Sequence, residues 1–404
     1  MQREIKNISN PLGIRPCTSC QMCYAVCNVH AINIVLTKEG FYRPYVDENL
    51  CVGCGRCVDV CAKFENDILV AANITEEETP LYSASVKDEE IVRKTTSGGI
   101  ADTLAKALIN EGYKIIGVAY NNKENRAEHV VAETVKESDV FRGSKYIQSY
   151  SADAFRQLVK SGQDEIYAIF GLPCQIYAIN KYLKSKKQES KWLLIDLYCH
   201  GCPSMLVWNK VSDDLKKRLK TKQFESVKWR SKYRGWGRFY LEVKSHEGRI
   251  YRSRPNDNSF FDFFFSNQLL KESCSDCKFR STLAYTDIRL GDFWGPDYKS
   301  DTRGVSAISV ATDKGAAVID SIRGQINITK KSYDNFLPYQ SWGCVYHIDN
   351  ILRHKLLTLL ADKNASIEEC LRPLKERYSF SKKAKIFFKQ ILSYLPLSLE
   401  RKFI

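Results

Sequence analysis

The chain has 404 residues, with 61 lysine and arginine against 47 aspartate and glutamate, a formal charge of +14. No apolar stretch approaches the roughly 18 residues needed to cross a bilayer, and Met1-Gln2-Arg3-Glu4 is polar, unlike a signal region. A cytoplasmic protein of two or three domains is expected, without nucleic acid as a partner because no binding motif accompanies the basic excess.

Two cysteine runs dominate the first 75 residues. Cys17, Cys20, Cys23 and Cys27 are spaced C-x2-C-x2-C-x3-C, and Cys51, Cys54, Cys57 and Cys61 repeat the spacing. It is the ligand pattern of a two-cluster bacterial ferredoxin, where each run gives three thiolates to one 4Fe-4S cluster and its fourth to the other. Crossing predicts one cluster on Cys17, Cys20, Cys23 and Cys61, and a second on Cys51, Cys54, Cys57 and Cys27. A structural zinc pairs two C-x2-4-C knuckles and has no use for triplets. Disulfide frameworks belong to short secreted chains. The proline usual after the fourth cysteine is replaced by Asn28 and Ala62. Between the runs, alternating Ile32, Ile34 and Leu36, then Lys38-Glu39-Gly40 and Phe41-Tyr42, predict a short hairpin. Thiolate-bound clusters offset part of the basic excess. The remainder suits acidic electron carriers, phosphorylated substrates or a membrane surface.

Residues 75–80 read as a charged linker. Ser97-Gly98-Gly99 then opens a predicted amphipathic helix to about Asn110, with serine as a candidate N-cap and glycines that admit a ligand phosphate. A strand over 114–120 follows. Further on, the apolar run 165–170 leads through Gly171-Leu172-Pro173-Cys174 into a helix to about Leu183, and the strand 192–197 ends in Tyr198-Cys199-His200-Gly201. Such short connections make a βαβ unit with parallel strands. Cys174 and Cys199 therefore arrive at the carboxyl edge of the sheet, where open α/β sheets bind ligands. Cys274 and Cys277 form a lone C-x2-C. Together these four predict a third metal site: a 4Fe-4S cluster, a zinc ion, or metal-free thiols.

Past Cys199, arginine, lysine and aromatic residues mix over 227–254, with a hairpin around His246-Glu247-Gly248 that is a candidate cover for an anionic substrate. Phe260, Phe261, Phe263, Phe264 and Phe265 are expected in the core or an interface. The tail from about Ser379 reads as a basic amphipathic helix, with Ala384, Phe387, Phe388, Ile391 and Leu395 on one face and Lys382, Lys383, Lys385 and Lys389 alongside. Docking on the main domain and attachment to a membrane surface both fit it.

The double cysteine runs, Thr96-Ser97-Gly98-Gly99, Gly143-Ser144-Lys145-Tyr146, Gly171-Leu172-Pro173-Cys174-Gln175, Cys199-His200-Gly201-Cys202-Pro203-Ser204 and the stretch from Cys274 to Trp294 occur in this order over about residues 1–300. In that order they resemble the beta subunit of the coenzyme F420-reducing hydrogenases and dehydrogenases. The wording is most similar to a single-chain bacterial branch associated with cell-surface polysaccharide biosynthesis. The resemblance implies FAD, a third 4Fe-4S cluster on Cys174, Cys199, Cys274 and Cys277, and electron exchange with a partner. It makes Ser97, Gly98, Gly99, Ser144 and Lys145 candidate flavin or phosphate contacts. Cys202 stands where an aliphatic residue is more usual and competes as a ligand. Candidate catalytic groups are His200 as proton donor, Lys145 as an anion-stabilising charge and Asp292 as a substrate-orienting group.

The expected fold class is α+β / α/β. A two-cluster ferredoxin module (1–75) precedes a mixed α/β flavin-binding domain (80–345) and a helical region with the basic tail (346–404). The expected function is that of an iron–sulfur flavoprotein oxidoreductase. It carries electrons from a ferredoxin-like donor to FAD and an anionic small molecule, from the cytoplasm or the inner face of the membrane. The alternative is an electron-transfer subunit of a deazaflavin-linked hydrogenase or dehydrogenase.

Overall fold

A computed structural model describes residues 6–70, 74–162, 164–254 and 258–392, without the side chains of 389, 390 and 392. Met1–Glu4 and Leu395, and the side chain of Lys389, lie outside the described residues. The hairpin between the cysteine runs pairs β1 (Ile32–Leu36) antiparallel with β2 (Tyr42–Val46). Gly40 turns the chain at φ 77°, a conformation that favours glycine. A side chain there would also strike Ser204 Oγ at 2.5 Å.

The main domain is built on strands β3 (Leu81–Val86), β4 (Lys114–Asn121), β5 (Arg126–Ala132), β6 (Ser149–Tyr150), β7 (Tyr167–Phe170) and β8 (Leu193–Leu197). A separate three-stranded sheet follows: β9 (Phe224–Lys228), β10 (Glu242–Ser245) and β11 (Ile250–Arg252), with Gly248 in the β10–β11 turn. Strands β12 (Ile288–Asp292), β13 (Ser306–Val310) and β14 (Ile326–Lys331) then rejoin the main sheet. Its nine described strands run β14-β3-β13-β12-β8-β7-β4-β5-β6.

The central four are parallel. Ala168, Ile169 and Phe170 pair with Leu193, Leu194 and Ile195, and Ile288 pairs with Ile195. The βαβ unit forms as expected, its helix spanning Pro173–Lys186. Because side chains alternate across a strand, Ile115, Ala168, Leu193 and Ile195 line one face and pack with the Ile100–Asn110 helix. Ile116, Ile169 and Leu194 line the other face. There the Pro173–Lys186 helix and the ferredoxin module share a single apolar cluster, including Met22, Val26, Ile32 and Val60. The module is thus fastened to the sheet through a dry core. That face, covered by helix and module, accounts for apolar strands without polar alternation.

Two expectations need correction, and a third holds for four of five residues. Ser97 does not cap its helix: Gly99 takes the N-cap position at φ 88°, while Ser97 Oγ donates to Val305 O at 2.9 Å. The glycine before it lets the chain cross the sheet, since a side chain on Gly98 would collide with Ala84 O. Of the five phenylalanines, four are buried in the Ser259–Phe264 helix region but Phe265 is 47% exposed. The tail helix, Phe380–Leu392, does not bury its apolar face: Phe387 and Phe388 are 60% and 64% exposed. No described helix is long and apolar enough to cross a membrane.

Candidate metal centres

Each N-terminal run wraps its cysteines by the same backbone device. In the first, Ser19 and Gln21 take positive φ of 57° and 67°; in the second, Gly53 and Gly55 take 66° and 76°. These residues occupy corresponding places between the cysteines, and each pair precedes a one-turn helix, Met22–Ala25 or Arg56–Asp59. Left-handed backbone turns amides inward: Ser19 N donates to Cys17 Sγ at 3.3 Å. Hydrogen bonds to sulfur are among the groups that tune an iron–sulfur site. Asn7 adds another, its Nδ2 donating to Cys51 Sγ at 3.4 Å.

Thiols of the two runs lie within electrostatic reach of one another. Cys23 lies within electrostatic reach of Cys20, Cys17, Cys61 and Cys57, and Cys61 within reach of Cys20 and Cys17. Cys57 feels Cys27 and Cys54. Burial is the main reason the thiols of Cys57 and Cys61 are pushed up, to about 11 and about 12, and it raises Cys20 and Cys23 as well. Such thiols are neutral until a metal displaces their protons.

A third thiol group lies at the carboxyl edge of the sheet. Cys174 stands in the first turn of the Pro173–Lys186 helix, after β7, and Cys199 follows β8. Cys174 lies within reach of Cys277, Cys202 and Cys274, and Cys199 within reach of Cys202, Cys274 and Cys277. Burial pushes both thiols well above their ordinary range and raises Cys202 to about 11. Five sulfurs therefore converge, Cys202 among them. Two buried cations flank them. Arg280 donates through Nη2 to His200 O at 2.9 Å and Cys274 O at 2.7 Å. Lys271 sits between Cys202 and Cys274 through backbone hydrogen bonds. Among the described residues no three Cys, His, Asp or Glu side chains form a recognised single-ion site, and this holds for the two N-terminal runs too.

His200 is engaged on both ring nitrogens, Nε2 with Asn267 Oδ1 at 2.7 Å and Nδ1 with Ser341 Oγ and Tyr346 OH, each at 3.0 Å. Burial lowers its pKa. The ring also packs against Phe264 and Tyr346. Lys145 donates to the carbonyls of Val140, Phe141 and Arg142 at 3.0–3.2 Å, and burial brings it down to about 7. Asp292 forms an ion pair with the buried Arg230 at 2.9 Å and accepts from Trp236 Nε1 at 2.9 Å. Arg230 also donates to Tyr146 OH, next in sequence to Lys145. The two candidate phosphate-binding segments meet where Ser144 N donates to Thr96 Oγ1 at 2.9 Å. Lys232 closes that corner by donating to Ser97 O at 2.7 Å. Asn7, Gln21, Lys271, Arg280 and Arg230 give no spacing signal in the sequence. They act through folded proximity alone.

Residues 16–64 match the 4Fe-4S dicluster domain. Residues 164–335 match the family described as the C terminus of the coenzyme F420 hydrogenase/dehydrogenase beta subunit. With the thiol arrangement, these two matches make the chain similar to iron–sulfur proteins at its N-terminal end and to the hydrogenase/dehydrogenase beta subunits over its middle. The chain is 23% identical over 270 residues to the coenzyme F420 hydrogenase subunit beta of Methanococcus voltae, covering 63% of this chain and 85% of the relative. A solved structure of the F420-reducing NiFe hydrogenase complex from Methanosarcina barkeri, a xenon derivative, contains a similar chain. It has 19% identity and a TM-score of 0.45, over 75% of this chain and 94% of that one.

Proposed function

We propose that the chain carries electrons singly between an outside protein donor and its own main domain, using three 4Fe-4S clusters. Cys17, Cys20, Cys23 and Cys61 would hold one, Cys51, Cys54, Cys57 and Cys27 the second, and Cys174, Cys199, Cys274 and Cys277 the third. The observation that carries the proposal is the convergence of cysteines from three separate segments at the carboxyl edge of the parallel strands. Soft thiolate donors alone suit an iron–sulfur cluster, and Arg280 and Lys271 supply positive charge beside a thiolate-rich, net negative site. Clusters held in these sites supply one-electron chemistry.

The exposed end is the second run. Cys54 is exposed, and Val52 and Leu50 beside it are 68% and 51% exposed. An apolar, modest patch of this kind suits the small interfaces of transient electron-transfer partners. At the far end, the acceptor proposed is FAD at the corner formed by Thr96–Gly99 and Gly143–Lys145, serving an anionic small molecule. The contact between those two segments supports it. A subunit role within a larger complex is the second reading, favoured by the relative from Methanococcus voltae being a hydrogenase subunit. Anaerobic purification with iron, sulfide and flavin analysis tests the first reading. One flavin per chain is expected. Its absence from fully iron-loaded material would leave the second.

A further inference from the structure

Lys271 belongs to two thiol groups at once. Its amide donates to Cys202 O at 2.9 Å and its carbonyl accepts from Cys274 N at 2.9 Å, so its backbone is pinned inside the third group. Neighbouring Leu270 bridges to Pro203, which fixes the strand-like approach. The side chain leaves that group. Its ammonium donates to the carbonyl of Thr18, which lies between Cys17 and Cys20. Only 2% of the residue is exposed. The thiols of Cys202, Cys274, Cys174 and Cys17 all lie within electrostatic reach of that ammonium. Cys20 feels the same ammonium.

Burying an ammonium is costly unless negative charge faces it. Thiolates bound to iron would provide that charge on both sides. A cation held between two such sites also stabilises the more negative, reduced form of each.

We propose that Lys271 is a shared counter-cation, a positioning residue that ties the first N-terminal site to the third and raises the reduction potentials of both together. The proposal rests on the reading that both groups hold 4Fe-4S clusters. It marks the junction at which electrons cross from the ferredoxin module into the main domain. The second-run site, on Cys51, Cys54, Cys57 and Cys27, shares no hydrogen bond with this lysine among the described residues and serves as the internal control.

The test is a redox titration followed by electron paramagnetic resonance on the anaerobically purified full chain, as wild type, Lys271→Met and Lys271→Arg. Wild-type iron content is read first. About eight irons instead of about twelve would mean that the third site holds no cluster, which sinks the underlying reading before any variant is considered. With twelve irons, Lys271→Met is expected to lower the reduction constants of the first-run and third-site signals at least tenfold, 59 mV for one electron. Lys271→Arg should stay within threefold of wild type, and the second-run signal should not move. Unchanged potentials in Lys271→Met, or an equal shift of all three signals, would overturn the proposal. If Lys271→Met emerges short of iron, Lys271→Arg decides. Full iron supports the need for charge, and the same shortfall shows that the shape of lysine matters and its charge does not.

Discussion

The two N-terminal cysteine runs have the same spacing and the same pair of left-handed positions, yet their surroundings differ. The second run achieves positive φ with Gly53 and Gly55, and nothing lies within 4 Å of where a side chain on Gly55 would sit. The first run uses Ser19 and Gln21, residues that adopt this backbone only at a cost of about 1–2 kcal/mol each. That cost is offset by contacts. Arg43 Nη1 donates to Ser19 Oγ at 2.6 Å. Gln21 donates to Ser149 O at 3.0 Å and accepts from Ser151 N and Ala152 N at 2.8 and 3.0 Å. Both runs pack on the main domain, but the first is tied down by the Ser149–Ala152 backbone, whereas the second leaves Cys54, Val52 and Leu50 exposed. Backbone geometry follows the repeat, while the surroundings of each run follow its breaking.

The harshest way to break this comparison is to remove the crossing ligands. Cys61→Ala is expected to lose about four irons and the signal of the first-run site, whereas Cys27→Ala should lose the second-run signal. Iron analysis with electron paramagnetic resonance reads both. Damage on the uncrossed side would show the thiols to be sorted by run instead. A milder break is Gln21→Ala, which leaves three buried backbone groups at the seam without partners and should destabilise the module by about 2–3 kcal/mol. Limited proteolysis of iron-loaded protein should then cut between the module and the main domain first. Uniform resistance would contradict the seam.

How much of this was legible in the sequence depends on the length scale of each signal. Cysteine spacing and strand pattern are local, so the 4Fe-4S dicluster domain, the hairpin β1–β2 and the βαβ unit around β7 and β8 could be read from the chain. The two halves of the third thiol group lie about 75 residues or more apart, yet they too could be suspected, because strand ends locate Cys174 and Cys199. Lys271 could not. Its neighbours in sequence carry no period, and its role exists only because Thr18 folds onto it. Ser97 misled for the opposite reason: serine before a helix is a good cap, but tertiary contact with Val305 O claimed its hydroxyl. The tail's amphipathic face was correct as a pattern and uninformative about its partner.

Away from the seam, His129 in β5 offers a smaller contrast. Its ring is buried and meets Phe155 at 5.2 Å, and burial lowers its pKa to about 4. The unfolded chain, with an ordinary value near 6.5, binds more protons between those limits. Stability from this site is therefore complete above pH 6.5 and falls as pH drops toward 4. Relative to His129→Leu, wild type should lose about 1 kcal/mol between pH 7.5 and 5.5 in urea unfolding. Equal pH dependence in both would contradict it. The mildest test sharpens the open side: Gly55→Ala, strained but unobstructed, should cost about 1–2 kcal/mol while keeping its iron. A loss of all second-run iron would show that the glycine serves more than backbone freedom.

The claim on which the rest stands is that the thiols at the sheet's carboxyl edge form a metal centre separate from the ferredoxin pair. Iron and acid-labile sulfide counted in oxygen-free preparations of the full chain and of a Cys274→Ala, Cys277→Ala double variant test it most directly. About twelve irons falling to about eight, with both N-terminal signals retained, is the expected result. Eight irons in both preparations would contradict it.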